Sequence, residues 1–209
     1  MTDPRKEIVE AGYDAMAEHY LSWGRRVEGD PRARFVEEFS RRLPEGAQVL
    51  DLGCGAGVPS TQLLAERFEV VGVDISQAQV RLARENVPQA SFIQADLFEL
   101  DFPDAAFAGI TALYSIPHVP REEHGELFRR TAGWLEPGGL FLASLGAGGN
   151  PDWTGDWLGV PMFFSSYDAE TNRALLEAAG FDLLHDEVIE MHEPEGPVSF
   201  LWTLAQKSR

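Results

Sequence analysis

From residue 47 to residue 145 the chain alternates between short apolar runs and stretches with helical spacing. AQVLDLG is followed by VPSTQLLAER and FEVVGVD by SQAQVRLARENV, then ASFIQAD and FAGITALYS continue the series. Runs rich in Val, Leu and Ile without polar alternation belong to strands covered on both faces, and helical stretches between them carry the chain back for parallel pairing. Few frameworks other than a layered α/β sheet satisfy both conditions.

The flanking segments fill in that frame. Residues 5–23 place Ile8, Val9, Tyr13, Met16, Ala17 and Tyr20 on one side of a helix. Asp30 reads as an N-cap and Pro31 as the first residue of a second helix, which runs through Phe35, Val36, Phe39 and Leu43 until Pro44 and Gly46 stop it. Ser76 and Gln79 have capping-box spacing. A helix from about Pro120 to Leu135 precedes a Pro137-Gly138-Gly139 turn into the fifth strand, LFLASL. Residues 146–167 interleave five glycines and two prolines with Trp153, Trp157, Met162, Phe163, Phe164 and Tyr167, and this predicts a loop or lid. Asp168 caps a helix through Leu175 and Leu176 that ends at Gly180. FDLLHDEVIEM and VSFLWTLAQ are joined only by HEPEGP, shorter than the dozen or so residues of a parallel crossover, so they form an antiparallel hairpin.

A chain of 209 residues accommodates one well-buried core, so residues 1–209 are read as one domain: a helical cover over 1–45 and an α/β core over 46–209 with its lid at 146–167. The formal charge is -17, and Lys6 and Lys207 are the only lysines among 17 basic residues, which argues against a nucleic-acid partner. Such acidity reads first as solubility. No apolar run reaches the roughly 18 residues of a membrane span, and MTDPRKEIVEAGYDAMAEHY lacks the apolar stretch and small-residue cleavage site of a secretory signal, so no export is expected. Cys54 is the single cysteine, which excludes an intrachain disulfide and a cysteine-based metal cluster and predicts a cytoplasmic protein with no metal.

VLDLGCGAGVPS sets Gly53, Gly55 and Gly57 between a buried strand and a helix, where positive φ and free N–H groups let a polar ligand approach the backbone. Asp74 ends the next strand 21 residues after Gly53, the position from which a carboxylate accepts from both hydroxyls of a ribose. A dinucleotide fingerprint runs G-x-G-x-x-G; here Val58 takes the third small position, which weakens a nicotinamide-dependent oxidoreductase reading and leaves it as an alternative.

With Asp96 in QADLFEL, these segments resemble the class I S-adenosylmethionine-dependent methyltransferases of the small-molecule type. DLGCGAG is similar to the family's first motif, VVGVDIS to its ribose segment, QADLFEL to its adenine segment, and FAGITALYSIPHV and LEPGGLFLAS to its fourth and fifth strands. The resemblance spans about residues 45–207. It implies a three-layer αβα Rossmann-like fold, a mostly parallel seven-stranded sheet with an antiparallel last strand, S-adenosylmethionine as cofactor, and a monomer or homodimer. It also implies Asp51, Gly53, Cys54 and Gly55 around the methionyl part, Asp74 on the ribose, Ile75, Asp96 and Leu97 around the adenine, and Leu113 and Tyr114 near the sulfonium. YDAMAEHY resembles a helix that closes over the cofactor, making Tyr13 and Tyr20 lid contacts, with core packing the alternative for each. A non-catalytic S-adenosylmethionine-binding protein on the same fold is a further alternative.

Methyl transfer from a sulfonium needs orientation and exclusion of water more than a base or a metal. Where a proton leaves the acceptor, His118 in YSIPHVP is the candidate base, titrating near neutrality; the competing reading has it order the loop between Pro117 and Pro120. His19 and His192 read as surface residues, and His124 as the solvent-facing side of a helix. The aromatic segment with Trp157 and Phe163 predicts a small, partly apolar acceptor enclosed during turnover, against the alternative of a rigid aromatic plug.

Overall fold

The computed structural model describes residues 3–208. Helix α1 (Pro4–Gly24) is capped by Asp3, and α2 (Arg32–Arg41) leads into strand β1 (Gln48–Leu52). Then come α3 (Ser60–Leu64), β2 (Glu69–Asp74), α4 (Gln77–Asn86), β3 (Ser91–Gln94), β4 (Phe107–Leu113), α5 (His124–Trp134) and β5 (Leu135–Gly146). Strands β6 (Trp153–Trp157) and β7 (Val160–Phe164) follow, then α6 (Ala169–Ala178), β8 (Phe181–Glu193) and β9 (Gly196–Lys207).

Seven strands form one sheet in the order β3-β2-β1-β4-β5-β9-β8, parallel throughout except for β9, which pairs antiparallel with both β5 and β8. Every residue of β4 is buried, as a central strand covered on both faces requires. On one face α5 and α6 press Leu127, Phe128 and Leu176 onto Leu50, Ile110 and Phe141; on the other α2 and α3 press Phe35, Phe39 and Leu64 onto Val49, Leu142 and Trp202. This is the three-layer αβα Rossmann-like fold. The order reverses between β1 and β4, so the strand ends open a crevice there, the usual place for a ligand in such sheets.

Several elements depart from the expected boundaries. The second helix begins at Arg32, because Asp30 turns back to accept from the Arg32 N–H at 2.9 Å, leaving Pro31 as the N-cap. Ser76 caps α4 by accepting from Gln79 N at 3.1 Å, but the Gln79 side chain does not complete the capping box. Pro137-Gly138-Gly139 lies inside β5, where residues 136–139 bulge out between the Phe107–Leu135 and Gly109–Leu140 pairs. The expected loop over 146–167 holds the β6–β7 hairpin, turned at Leu158 and Gly159 with φ of 54° and 86°. That hairpin packs on α1: Gly12 leaves room for it, since a Cβ there would lie 2.7 Å from Met162 Cε.

Candidate functional site

The strand ends and the N-terminal helices enclose a cavity of about 540 Å³, a size common among small-molecule sites. Asp51, Gly53, Cys54, Gly55, Asp74, Ile75, Asp96, Leu97, Leu113 and Tyr20 all line it, as do Tyr13, Tyr114, His118 and Trp157. Phe163 does not. It is buried beneath the hairpin in one cluster with Val9, Met16 and Met162, while its neighbour Phe164 reaches the cavity.

The turn after β1 is held by the backbone. Gly53 and Cys54 N–H groups donate to Val73 O at 2.8 and 2.9 Å. Gly53 has φ of 74°, and a Cβ there would lie 2.2 Å from Ser115 Cβ, so only glycine fits. Asp74 closes the turn from the β2 side: Oδ2 accepts from Gly55 N at 2.8 Å and Oδ1 from Ser76 N at 3.0 Å. Burial raises its carboxyl to about 6 against the pull of those two N–H groups. Asp51 is buried below, both oxygens accepting from hydroxyls, Thr61 at 2.6 Å and Thr111 at 2.7 Å. Those bonds orient it and leave its burial to push the carboxyl upward.

Several site residues escaped the sequence reading. Gln79 is 1% exposed, lines the cavity beside Gly55, and neither of its amide atoms has a partner among the described residues. Buried polar atoms are seldom left so, and this amide lies beside the Gly55 turn that Asp74 closes. Arg32 pairs with Asp30 at 2.9 Å and lies over the Tyr114 ring at 4.7 Å, with its Nε unpartnered in the cavity wall near Ser60. Lys6, 9% exposed, bridges Asp96 at 3.1 Å and Glu123 at 2.9 Å. Asp14 of α1 accepts from Ser76 Oγ at 2.6 Å and Ala78 N at 2.9 Å, fastening the helix to the start of α4. The scarcity of lysines and the place of Lys6 one turn before Val9 on the apolar face were the available signals.

His118 sits between two partners. Its Nδ1 lies 2.9 Å from Phe163 O, which only accepts, so Nδ1 carries the proton and Nε2 accepts from Tyr13 Oη at 2.7 Å. Burial lowers the imidazole to about 4, which corrects the expectation of a titration near neutrality. Burial likewise pushes the Tyr13 phenol far up, so it stays protonated as a donor. His124, expected to face solvent, is 1% exposed and its Nε2 lies 3.0 Å from Val119 O: a 3₁₀ turn over Arg121–Glu123 makes it the first residue of α5, facing inward. His19 and His192 are exposed. Tyr114 lines the cavity with φ of 65°, and its hydroxyl donates to Asp30 at 2.8 Å.

A glycine turn, an opposed buried carboxylate and an unpaired amide at the point where the strand order reverses make a site of the kind in which α/β folds take nucleosides and nucleotides. Residues 49–139 match the family model described as a methyltransferase domain. Methyltransferase GfsG of Streptomyces halstedii is 32% identical over 200 residues, covering 86% of this chain and 71% of that protein. Trans-aconitate 2-methyltransferase of Variovorax paradoxus is 44% identical over 134 residues, 60% of this chain and 50% of that one. The crystal structure of Burkholderia thailandensis 1,6-didemethyltoxoflavin-N1-methyltransferase, with bound 1,6-didemethyltoxoflavin and S-adenosylhomocysteine, superposes at a TM-score of 0.74 with 20% identity, covering 100% of this chain and 92% of that one, and shows the shared fold. The chain belongs to the class I S-adenosylmethionine-dependent methyltransferase family. It spans about half the length of most of the curated relatives it matches. Among the described residues no helix is long and apolar enough to cross a membrane, and no cluster of three His, Cys, Asp or Glu side chains is arranged to hold a metal.

Proposed function

We propose that this protein transfers a methyl group from S-adenosylmethionine to a small, partly apolar acceptor, and that residues 1–45 act with the core as one unit, in the cytoplasm, as a monomer or homodimer. The observation that carries this is the convergence on one cavity of the Gly53 turn, Asp74, the unpaired Gln79 amide and an aromatic chamber beyond them. The family match and the relatives are methyltransferases, which lends nothing to the nicotinamide alternative; trans-aconitate, named for one relative, is likewise a small molecule.

When bound, S-adenosylmethionine supplies a methyl group already activated on a sulfonium. Asp74 and Gln79 would hold the ribose hydroxyls, Ile75, Asp96 and Leu97 the adenine, and the backbone of Gly53, Cys54 and Gly55 the methionyl part, with the unpaired Arg32 Nε toward its carboxylate. Lys6 and Asp14 keep α1 closed over the crevice, and with Trp157 and Phe164 exclude water.

Tyr13 is the group that meets the acceptor. Its hydroxyl donates to His118, so its oxygen lone pairs are free to accept from an acceptor O–H or N–H and aim the nucleophile's remaining pair. As the nucleophile is methylated its proton passes to Tyr13 Oη while the Tyr13 proton moves to His118 Nε2, and water takes that proton once the product has left. The low basicity of His118 ensures that the imidazole returns to its neutral form. Isothermal titration with S-adenosylhomocysteine and with NAD tests the reading directly: the former should bind and the latter should not. Binding of NAD alone, or S-adenosylhomocysteine binding with no methyl transfer across a broad acceptor panel, would favour the two alternatives respectively.

A further inference from the structure

Beyond the cofactor residues the cavity continues into a chamber with aromatic walls. Tyr20 stacks on Trp23 with ring centroids 5.6 Å apart, Trp157 meets them at 5.8 and 5.5 Å, and Tyr13 lies 5.1 Å from Tyr20. Ring faces attract organic cations, the more so where water is excluded.

Most ionisable groups at this end are already engaged. Arg32 is paired with Asp30, His118 with Tyr13 and the Phe163 carbonyl, and Glu195 accepts from the Trp23 indole N–H at 2.9 Å. Arg25 stands exposed at the rim. Glu193 differs: it is half-buried in the cavity wall, and among the described residues its carboxylate takes part in no hydrogen bond or ion pair. Its position is set from two sides. The β8–β9 ladder runs to the Glu193–Gly196 pair, and the backbone bridge between Glu28 and His192 ties that end to the linker between α1 and α2. The Glu193 charge is near enough to add to the upward push on Tyr13 and Tyr20.

Resting on the methyltransferase reading, we propose that the acceptor carries an amino group, held by Glu193, on an aromatic or alicyclic body packed among Tyr20, Trp23 and Trp157. Burial and the adjacent Glu195 push the Glu193 carboxyl up to about 7, the mark of a carboxylate without its counter-charge. Of the other charged side chains at this end, Glu195 acts on Glu193 directly, Asp74 bears with Glu193 on Tyr13, Arg32 bears on Tyr20 but is paired with Asp30, and Arg25 stands at the rim, so the field is acidic on balance. An ammonium group offsets that field, whereas a carboxylate ligand would add to it. Glu193 is thus a specificity-determining residue, separate from the Tyr13–His118 pair that handles the proton.

The test is calorimetry on the full chain saturated with S-adenosylhomocysteine, titrated with phenethylamine, phenethyl alcohol and phenylacetate. Phenethylamine should bind at least about tenfold more tightly than the alcohol, a difference of ~1.4 kcal/mol, and phenylacetate should bind most weakly. In Glu193→Gln the amine and the alcohol should bind alike while the affinity for S-adenosylhomocysteine is unchanged, which also shows the variant to be folded. Equal binding of amine and alcohol by the native chain, or an amine preference that survives in Glu193→Gln, overturns this inference and leaves the cofactor reading standing. Failure of the native chain to bind S-adenosylhomocysteine overturns both.

Discussion

The two halves of the cavity are built differently. In the proposed cofactor half a glycine turn and the N–H groups of Gly55 and Ser76 fix the Asp74 carboxylate within two consecutive strand–helix units, and the side chains of Gln79, Asp96 and Arg32 complete the wall. The acceptor half is made of side chains brought from α1, the β6–β7 hairpin and the β8–β9 hairpin, segments that lie far apart in the chain. A backbone site tolerates little change and serves one ligand; a side-chain site can be altered residue by residue. Such a division lets one framework keep its cofactor while the acceptor varies.

If that contrast holds, the largest effect should come from the turn. Gly53→Ala places a Cβ 2.2 Å from Ser115 Cβ at φ of 74°, and the strain and overlap together should cost about 3 kcal/mol or more of stability, read from the urea midpoint, with S-adenosylhomocysteine binding lost as well. An unaltered midpoint and affinity would mean that the backbone is not what shapes this half.

Next come the three side chains proposed to act on the proton and on the ribose. Tyr13→Phe should lower kcat by about 10²-fold and leave the Kd of S-adenosylhomocysteine alone, since only the proton path is cut. His118→Gln should behave in the same direction, and a pH–rate profile of the native enzyme should contain no ionisation near neutrality from this imidazole. Asp74→Ala should weaken S-adenosylhomocysteine by about 1.5–3 kcal/mol, the usual loss for hydrogen bonds to a charged group. Because the ionised carboxylate accepts from the ribose and its carboxyl titrates at about 6 in the free protein, affinity should fall as the pH drops through that value, and docking should release a proton. Calorimetry in two buffers of different ionisation enthalpy measures that release; its absence removes the ribose role.

The smallest effect is expected at the chamber wall. Trp157→Ala should raise the acceptor's KM several-fold and barely move the cofactor's Kd, as it trims one of several apolar surfaces. Equal losses for cofactor and acceptor would make the hairpin a plug over the whole cavity.

Local pattern carried the sheet, its order of helices and strands, and the Gly53–Asp74 pair, because turn glycines and buried apolar runs are demanded by backbone geometry within a few residues of each other. It also carried the caps at Ser76 and Asp168, where the side chain meets an N–H three residues on. Misreadings fell where a residue's surroundings come from elsewhere in the chain. His124 and His118 were judged by their own segments, yet burial by distant strands and the β6–β7 hairpin decides their exposure and their protonation. Phe163 and Phe164 are the same residue type side by side, and only the packing of β7 against α1 buries one and leaves the other in the cavity wall.

What the sequence determined by itself is therefore the framework and the Gly53–Asp74 pair, since apolar runs, turn glycines and a strand-end carboxylate are each marked within a single segment. What only the tertiary structure decided is the acceptor chamber: the Tyr13–His118 bond joins residues 105 apart, and Lys6, Arg32 and Glu193 acquire their partners or lack of them through packing. Charge and hydrogen bonding act across space at a few ångströms, and no local pattern records which distant groups will come within that reach.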